Sequence, residues 1–483
     1  MVPAPFRWEP DGSARALEGR ALEGTGRNLM TETMPHPAET DRVVRPSQAS
    51  VFETLEVAAR VVVPTVAVGV VKRRPLMMAL AERFQVDRSA IRLLQRLRDD
   101  HGSRPLRLAV PGRTIVVLLS PDDVARVLAE TPDPFSPDTV EKHAALGKFQ
   151  PHGSLVSRNR PRRERRRFNE AVLEEHRPLH HLAAPMLARI NEECDHLAEE
   201  AQAAGRLDWR RFQRSWNRLV RRVVFGDAAA DDRAVTAALN ALRRSANWAY
   251  LTPRREQIRE ALTERLREYL DRAESGTLAA AIAREDPDPA VHPADQVAHW
   301  LFAFDAAGMA LMRTLALLAV NRGHRHVARC ELGASAPDLP EELPYLRACV
   351  LESLRLWPTT PLLLRESTTE TRWGPETLPE GTSFVIYTPL FHRDRERLPF
   401  ADRFSPDVWT DGTAEADPAL VPFSGGPARC PAENLTLFTV TSALARLLRH
   451  GEYRLASGHP LYTGRPEPAT LDPFSLSFNT TAM

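Results

Sequence analysis

The segment Pro422-Phe423-Ser424-Gly425-Gly426-Pro427-Ala428-Arg429-Cys430-Pro431-Ala432-Glu433-Asn434 constrains the fold of this chain more than any other. An aromatic residue and small turn-formers lead into one cysteine, and a helical pattern begins directly after it. Glycines admit backbone geometries closed to other residues and let a planar ligand approach the main chain, while Pro427 stiffens the loop. From Glu433 the apolar stripe Leu435, Leu437, Phe438, Val440, Leu444, Leu447 and Leu448 predicts a helix whose N-terminal amides would stabilise negative charge on the sulfur. Such a loop can present a thiolate to a metal. The competing reading is a buried cysteine in a turn before a helix, and the loop alone does not choose between them.

A second motif lies upstream. Leu351-Glu352-Ser353-Leu354-Arg355-Leu356-Trp357-Pro358 places an acid and a guanidinium three residues apart on one helix face and stops at proline. Surface helices carry such pairs for solvation alone. Here the pair is followed by Phe400-Ala401-Asp402-Arg403-Phe404-Ser405-Pro406, a loop-like segment whose Arg403 is available to join it.

In order and spacing these motifs resemble the cytochrome P450 family. The resemblance runs from about Pro75 to the C terminus and is most specific between Pro344 and Leu448. It implies a mainly α fold with small β-sheets and a haem b (iron protoporphyrin IX) whose iron is held by the thiolate of Cys430. Electron donation from that sulfur favours cleavage of the oxygen-oxygen bond, behaviour for which haem-thiolate proteins are the type case. Phe423, Gly426 and Cys430 stand in the family's places. Ala428 stands where the family has an arginine, with Arg429 one position late, and Ala432 replaces a glycine. Glu352, Arg355 and Arg403 resemble a structural triad and are assigned to folding. Aligned on Phe168-Asn169, Arg165 falls where the family places a propionate-binding arginine, with Pro161 replacing its usual partner; Arg365 is a second candidate by position. The expected cofactor contacts are therefore Phe423, Gly426, Cys430, Arg165, Arg365 and Arg429. For Arg365 the competing role is a surface strand charge.

The helix predicted from Pro293 is the one that, in the family, crosses the oxygen side of the haem. Ala307 and Gly308 match the family's small residues, so Ala307, Gly308 and Leu311 form the expected catalytic set. Ala310 and Leu311 occupy the positions of an acid and a threonine that relay protons during oxygen activation, and neither side chain can do so. Asp305 and Thr314 lie about a turn away on either side, and are expected to make a solvent contact and a hydroxyl bond to the preceding turn. Protons would then come from a substrate group or a held water, or peroxide would replace dioxygen and its electrons, or the reaction would be a coupling or rearrangement needing little proton delivery. The resemblance implies a monooxygenase acting on a small hydrophobic molecule, contacted by residues 135–156, by the helix around Ala307 and Leu311, and by residues 359–364. The rivals are a peroxide-driven peroxygenase and a haem-binding protein without oxygen activation.

Arg158 to Arg167 holds seven arginines in ten residues. The run could neutralise phosphates, but no aromatic platform or docking motif accompanies it, so no nucleic-acid partner is expected. A solvated helix face accounts for several of the seven, and the rest could dock an acidic ferredoxin or flavodoxin-like reductase. No dinucleotide or phosphate-loop motif is present, so electrons would come from a separate protein. His180-His181 and His324/His326 lack the spacing of a metal site.

The 483 residues are 43% hydrophobic and 26% charged, which suits one large core, and the net charge of +1 favours no partner. Cys194, Cys330, Cys349 and Cys430 show no paired spacing, which fits a reducing cytoplasm. The most apolar run, Val61 to Val71, is broken by Pro64 and shorter than the about 20 residues a membrane span needs. No transmembrane segment is expected, and the run is assigned to packing on the body. Residues 1–48 are polar, rich in Gly, Pro and Arg, and expected to be a disordered tail, with Met30 and Met34 as candidate starts. Residues 49–483 would form a single domain. Within it Leu106–Val110 and Thr114–Leu119 read as a hairpin around Pro111-Gly112-Arg113, and Ser120 as the cap of a helix reaching Leu128. Helices are expected over 162–273 and 293–320, and strands around 363–368 and 383–387.

Overall fold

The computed structural model describes residues 46–456, 458 and 460–482. The expected tail lies outside these residues up to position 45. Ser47 and Gln48 do not belong to it, because they pair in parallel with Leu106 and Arg107.

Most of the chain is helical, as expected. The 28-residue helix Pro293–Val320 runs through the centre and packs against the helices Trp209–Phe225, Glu256–Arg272, Pro344–Leu356 and Glu433–His450. Proline at its first turn needs no amide partner, and nearly every later position is buried. Central burial explains why this helix is apolar all round. The expectation that no segment is long enough to span a membrane is corrected here: Pro289–Val320 meets the length and composition, with a mean hydropathy of 1.6, but 78% of that window is buried in protein. It is the core helix of the fold.

Ser120 caps Pro121–Ala129, its hydroxyl accepting from the Asp122 amide at 3.2 Å. The hairpin forms but is short, Leu106–Arg107 pairing antiparallel with Ile115–Val117. These strands join a six-stranded sheet in the order Ser47–Gln48, Leu106–Arg107, Ile115–Val117, Ser383–Tyr387, Leu362–Ser367, Phe135–Ser136. Val116, Val117, Phe384 and Ile386 pack with Leu93, Leu94 and Leu97 of the Val86–His101 helix into a second core.

The valine-rich run differs from expectation. It is helical from Val51 to Val68, with a π-turn over Ala58–Val62, and only one side is packed. Val61 and Val71 are buried, whereas Val62, Val63, Val66 and Val70 are 38 to 60% exposed.

Glu352 and Arg355 are both fully buried and bond side-on, Nε to Oε2 at 2.7 Å and Nη2 to Oε1 at 2.6 Å. Arg355 also donates to the carbonyls of His392, Phe400, Ala401 and Arg403. Glu352 accepts from the Ser405 amide and the Trp409 indole, both at 2.9 Å. Arg403 thus joins the pair through its carbonyl, and Trp409 takes the place expected for its side chain. A buried pair survives only when its remaining valences are satisfied, and here both partners meet that condition.

Candidate functional site

The cysteine loop is built by close approach of two backbones. Gly426 sits at φ +62°, and a Cβ there would lie 2.0 Å from the Leu128 carbonyl oxygen at the end of the Pro121–Ala129 helix. Gly426 is therefore required by the helix behind the loop. Phe423 is half-buried against the main core, and its carbonyl accepts from the Cys430 amide at 2.9 Å, closing the turn. The helix Glu433–His450 starts three residues after Cys430. Burial pushes the Cys430 thiol up to about 11, while a hydrogen bond from the Ala432 amide and the charge of Arg166 act the other way. The sulfur therefore has local donors for a thiolate but needs a cation to hold it in that form.

Arg365 is 3% exposed. It donates to Thr131 Oγ1, the Leu364 carbonyl and Ser424 Oγ, the last tying it to the cysteine loop at 3.2 Å. Burial, and then the neighbouring charge of Arg162, lower it to about 10. Arg162 is also buried and donates only to the Ser154 carbonyl. Lys142 donates to the carbonyls of Pro137 and Leu364 and is held far below the usual lysine range by burial and by the charges of Arg365 and Arg162. Among the described residues none of the three has a carboxylate oxygen within salt-bridge distance. Buried cations are normally paired, so this cluster calls for an anion. A haem, with two carboxylates and an iron that needs an axial ligand, fits both the cluster and the cysteine.

The other expected contacts fall elsewhere. Arg429 pairs side-on with Glu433, at 2.5 and 2.6 Å, with its side chain 57% exposed, because one helical turn brings these residues together. It does not join the buried cations. Arg165 donates to Ser157 Oγ and the Ala290 carbonyl, and its Nε has no partner. Sequence reasoning did not single out Arg162 or Lys142. The arginine run itself is mostly engaged: Arg158 with Asp138 and Glu366, Arg160 with Glu164, Arg166 with Glu170, Glu175 and the Arg429 carbonyl. Arg163 and Arg167 remain exposed.

On the central helix Ala307, Ala310 and Leu311 are buried in the main core. Gly308 faces a neighbour helix, since a Cβ there would lie 2.9 Å from Trp216 Nε1. Its small size serves packing against that helix. Thr314 Oγ1 donates to the Ala310 carbonyl at 2.8 Å, as expected. Asp305 makes no mere solvent contact: it pairs with Lys72 at 2.8 Å and Arg243 at 2.5 Å, and these charges hold its carboxyl low against burial.

The cysteines are all free thiols. Glu174, His180 and His181 bring ligand atoms within 4.8 Å of one another. Both His180 ring nitrogens are engaged by backbone, at Val172 and Leu182, so the cluster is a hydrogen-bonded turn.

Solved structures share this architecture. The chain superposes on the cytochrome P450DA heme domain with a TM-score of 0.65 over 82% of this chain and 92% of that one, at 16% identity. A second cytochrome P450 gives 0.65 over 82% and 94%, at 18% identity. At such identities the likeness is one of fold. By sequence the chain is 30% identical over 206 residues to cytochrome P450 306a1 of Drosophila melanogaster, covering 40% of this chain and 36% of that one. It is 30% identical over 146 residues to probable cytochrome P450 4s3 of the same organism, covering 30% of each. To cyclooctat-9-en-7-ol 5-monooxygenase of Streptomyces melanosporofaciens it is 32% identical over 126 residues, 26% and 27% of the two chains. These alignments span about a third of the length of the curated relatives. Residues 320–462, which carry Glu352, Arg355 and Cys430, match the family model described as Cytochrome P450, so this part of the chain is similar to that family.

Proposed function

We propose that this chain is a haem-thiolate monooxygenase that oxidises a small hydrophobic molecule with dioxygen and electrons from a separate protein. The observation that carries the reading is the half-buried Cys430 at a helix start, in a loop tied through Ser424 to the buried Arg365, which clusters with the buried Arg162 and the half-buried Lys142, none of the three with a carboxylate partner among the described residues. When bound, haem supplies the oxygen-inserting redox chemistry. The Ala432 amide and Arg166 favour negative charge on the sulfur, and the three cations would hold the carboxylates. Ala307, Ala310 and Leu311 keep one stretch of the central helix free of titratable groups, so protons reach the reaction from water or substrate. Arg163 and Arg167, on the helix that Arg166 ties to the cysteine loop, suit an acidic ferredoxin or flavodoxin-type donor. The free thiols support a reducing, cytoplasmic setting.

Use of peroxide is the second reading, favoured by the apolar pair Ala310 and Leu311. The test is the carbon monoxide difference spectrum of the reduced protein, with Cys430→Ala as control, followed by turnover with a surrogate reductase or with peroxide. A long-wavelength Soret band lost in the variant is expected. Haem without that band means a different axial ligand and overturns the thiolate assignment. The band without turnover under either oxidant leaves a haem-binding protein.

A further inference from the structure

Midway along the central helix one stripe is less buried than the rest. His299, Phe302, Ala303 and Ala306 are half-buried, whereas Trp300, Leu301, Phe304 and Ala307 between and beside them are buried. Four-residue spacing puts His299, Ala303, Ala307 and Leu311 in one row, so the stripe runs on into the apolar stretch. His299 lies deep: burial alone lowers its imidazole to about 4. Accessible ring surface at that depth faces an internal space. Gln150, fully buried in the preceding loop, holds the ring, its Nε2 lying 2.9 Å from His299 Nδ1. Phe302 packs on the imidazole edge-on at 5.6 Å, and Phe149 packs on Phe302 at 5.8 Å. With the amide donating to Nδ1, the imidazole proton sits on Nε2; with the amide reversed, Nδ1 donates and Nε2 is an acceptor. In both cases Nε2 has no partner among the described residues and is not sealed off by neighbouring atoms. A hydroxyl both donates and accepts, so it satisfies Nε2 in either form. A carboxylate would enter without a counter-charge, since burial is the only influence on this imidazole.

We propose that His299, oriented by Gln150, is the specificity-determining contact of this chain, and that it hydrogen-bonds a hydroxyl at one end of the hydrophobic molecule that is oxidised. The assignment rests on the haem-thiolate reading and names a substrate class for it: a hydrophobic alcohol whose hydroxyl lies far from the carbon attacked. Along the row the helix rises about 12 Å from His299 to Ala307 and about 18 Å to Leu311. A hydroxyl held at His299 leaves the hydrocarbon over Ala303 and Ala306, whose small side chains give it room. The distance between the hydroxyl and the far end then sets the position of attack. A molecule of the same shape without the hydroxyl leaves Nε2 desolvated and unpaired, which is how a polar contact rejects an analogue lacking its group.

The test is titration of the holoprotein with ω-(imidazol-1-yl)alkan-1-ols of graded length and with alkylimidazoles of equal length, read by the Soret shift. At one length the alcohol is expected to bind at least about fivefold more tightly than its alkyl counterpart. His299→Phe keeps a ring beside Phe302 but has no nitrogen. It is expected to bring the preference below about twofold while leaving alkylimidazole affinity within about twofold of the parent. If His299→Phe does not fold, Gln150→Leu carries the test: an imidazole freed from its amide no longer holds Nε2 in place, and the preference is expected to fall to about half or less. Equal affinity of alcohol and alkyl probes at every length, or a preference that survives these substitutions, overturns the proposal and leaves the haem-thiolate reading standing. No Soret shift with any imidazole overturns that reading and the proposal together.

Discussion

The indole of Trp216 fills the volume that a side chain at Gly308 would need, while its Nε1 donates to the Phe304 carbonyl at 2.8 Å, one turn earlier on the same helix. Gly308→Ala is therefore expected to cost about 1–3 kcal/mol, as overpacking does. In a Trp216→Leu background the cost shrinks, because the clash is gone. Urea unfolding of the two single variants and the double variant measures the coupling, and additive losses would refute this placement.

Glu352→Ala leaves Arg355 buried with no counter-charge. A loss of about 3–5 kcal/mol is expected, with haem content falling as the fold fails. Replacing Arg403, whose side chain is not part of the pair, with Ala costs much less; equal losses in the two variants would restore a side-chain role for Arg403.

Haem retention separates the buried arginine from the exposed one. Arg365→Gln removes a charged donor from a buried site, worth about 1.5–3 kcal/mol, so haem transfer to an apoprotein acceptor accelerates roughly tenfold or more. Arg429→Gln, which loses only the exposed pair with Glu433, leaves the rate within about twofold.

Burial pushes the Glu467 carboxyl up to about 7 against the pull of Arg393. Between its ordinary 4.5 and 7 the folded state holds a proton that the unfolded chain has lost. Stability therefore falls as pH rises through that window, by up to about 3 kcal/mol for this group. Glu467→Gln, which mimics the protonated form, should match the parent near pH 5 and exceed it near pH 8 in denaturant melts. A constant difference at both pH values would assign the shift elsewhere.

Leu311→Thr adds a hydroxyl to the buried apolar stretch of the central helix between Ala307 and Leu311. The fraction of electrons that end in product should change; an unchanged product yield per electron would place Leu311 away from the reaction.

Local chemistry is readable where a few neighbouring residues decide the outcome. Ser120 and Pro121 mark a helix start, Pro293 another, and the stripe after Glu433 a third, and each begins where its residues require. Long-range pairing of charge is not readable in this way. Asp305 meets Lys72 from 233 positions away and Arg243 from 62, which no local pattern announces. Arg162 reads as one more surface arginine within its run, yet it shares a helical face with Arg165, Asn169 and Val172, all buried, and that helical phase is a signal the sequence itself carries. Arg403 misleads because the contact uses its carbonyl, and side-chain identity says little about where a carbonyl points.

Arg355 spends its donors on one acid and on four carbonyls spread over His392 to Arg403, a stretch with little regular structure of its own. Such a stretch cannot open piecemeal, because releasing any part of the knot leaves a buried charge without partners. Its amides should therefore exchange with solvent only when the Pro344–Leu356 helix itself unfolds, making the approach to the cysteine loop part of the slowest-exchanging unit in the molecule.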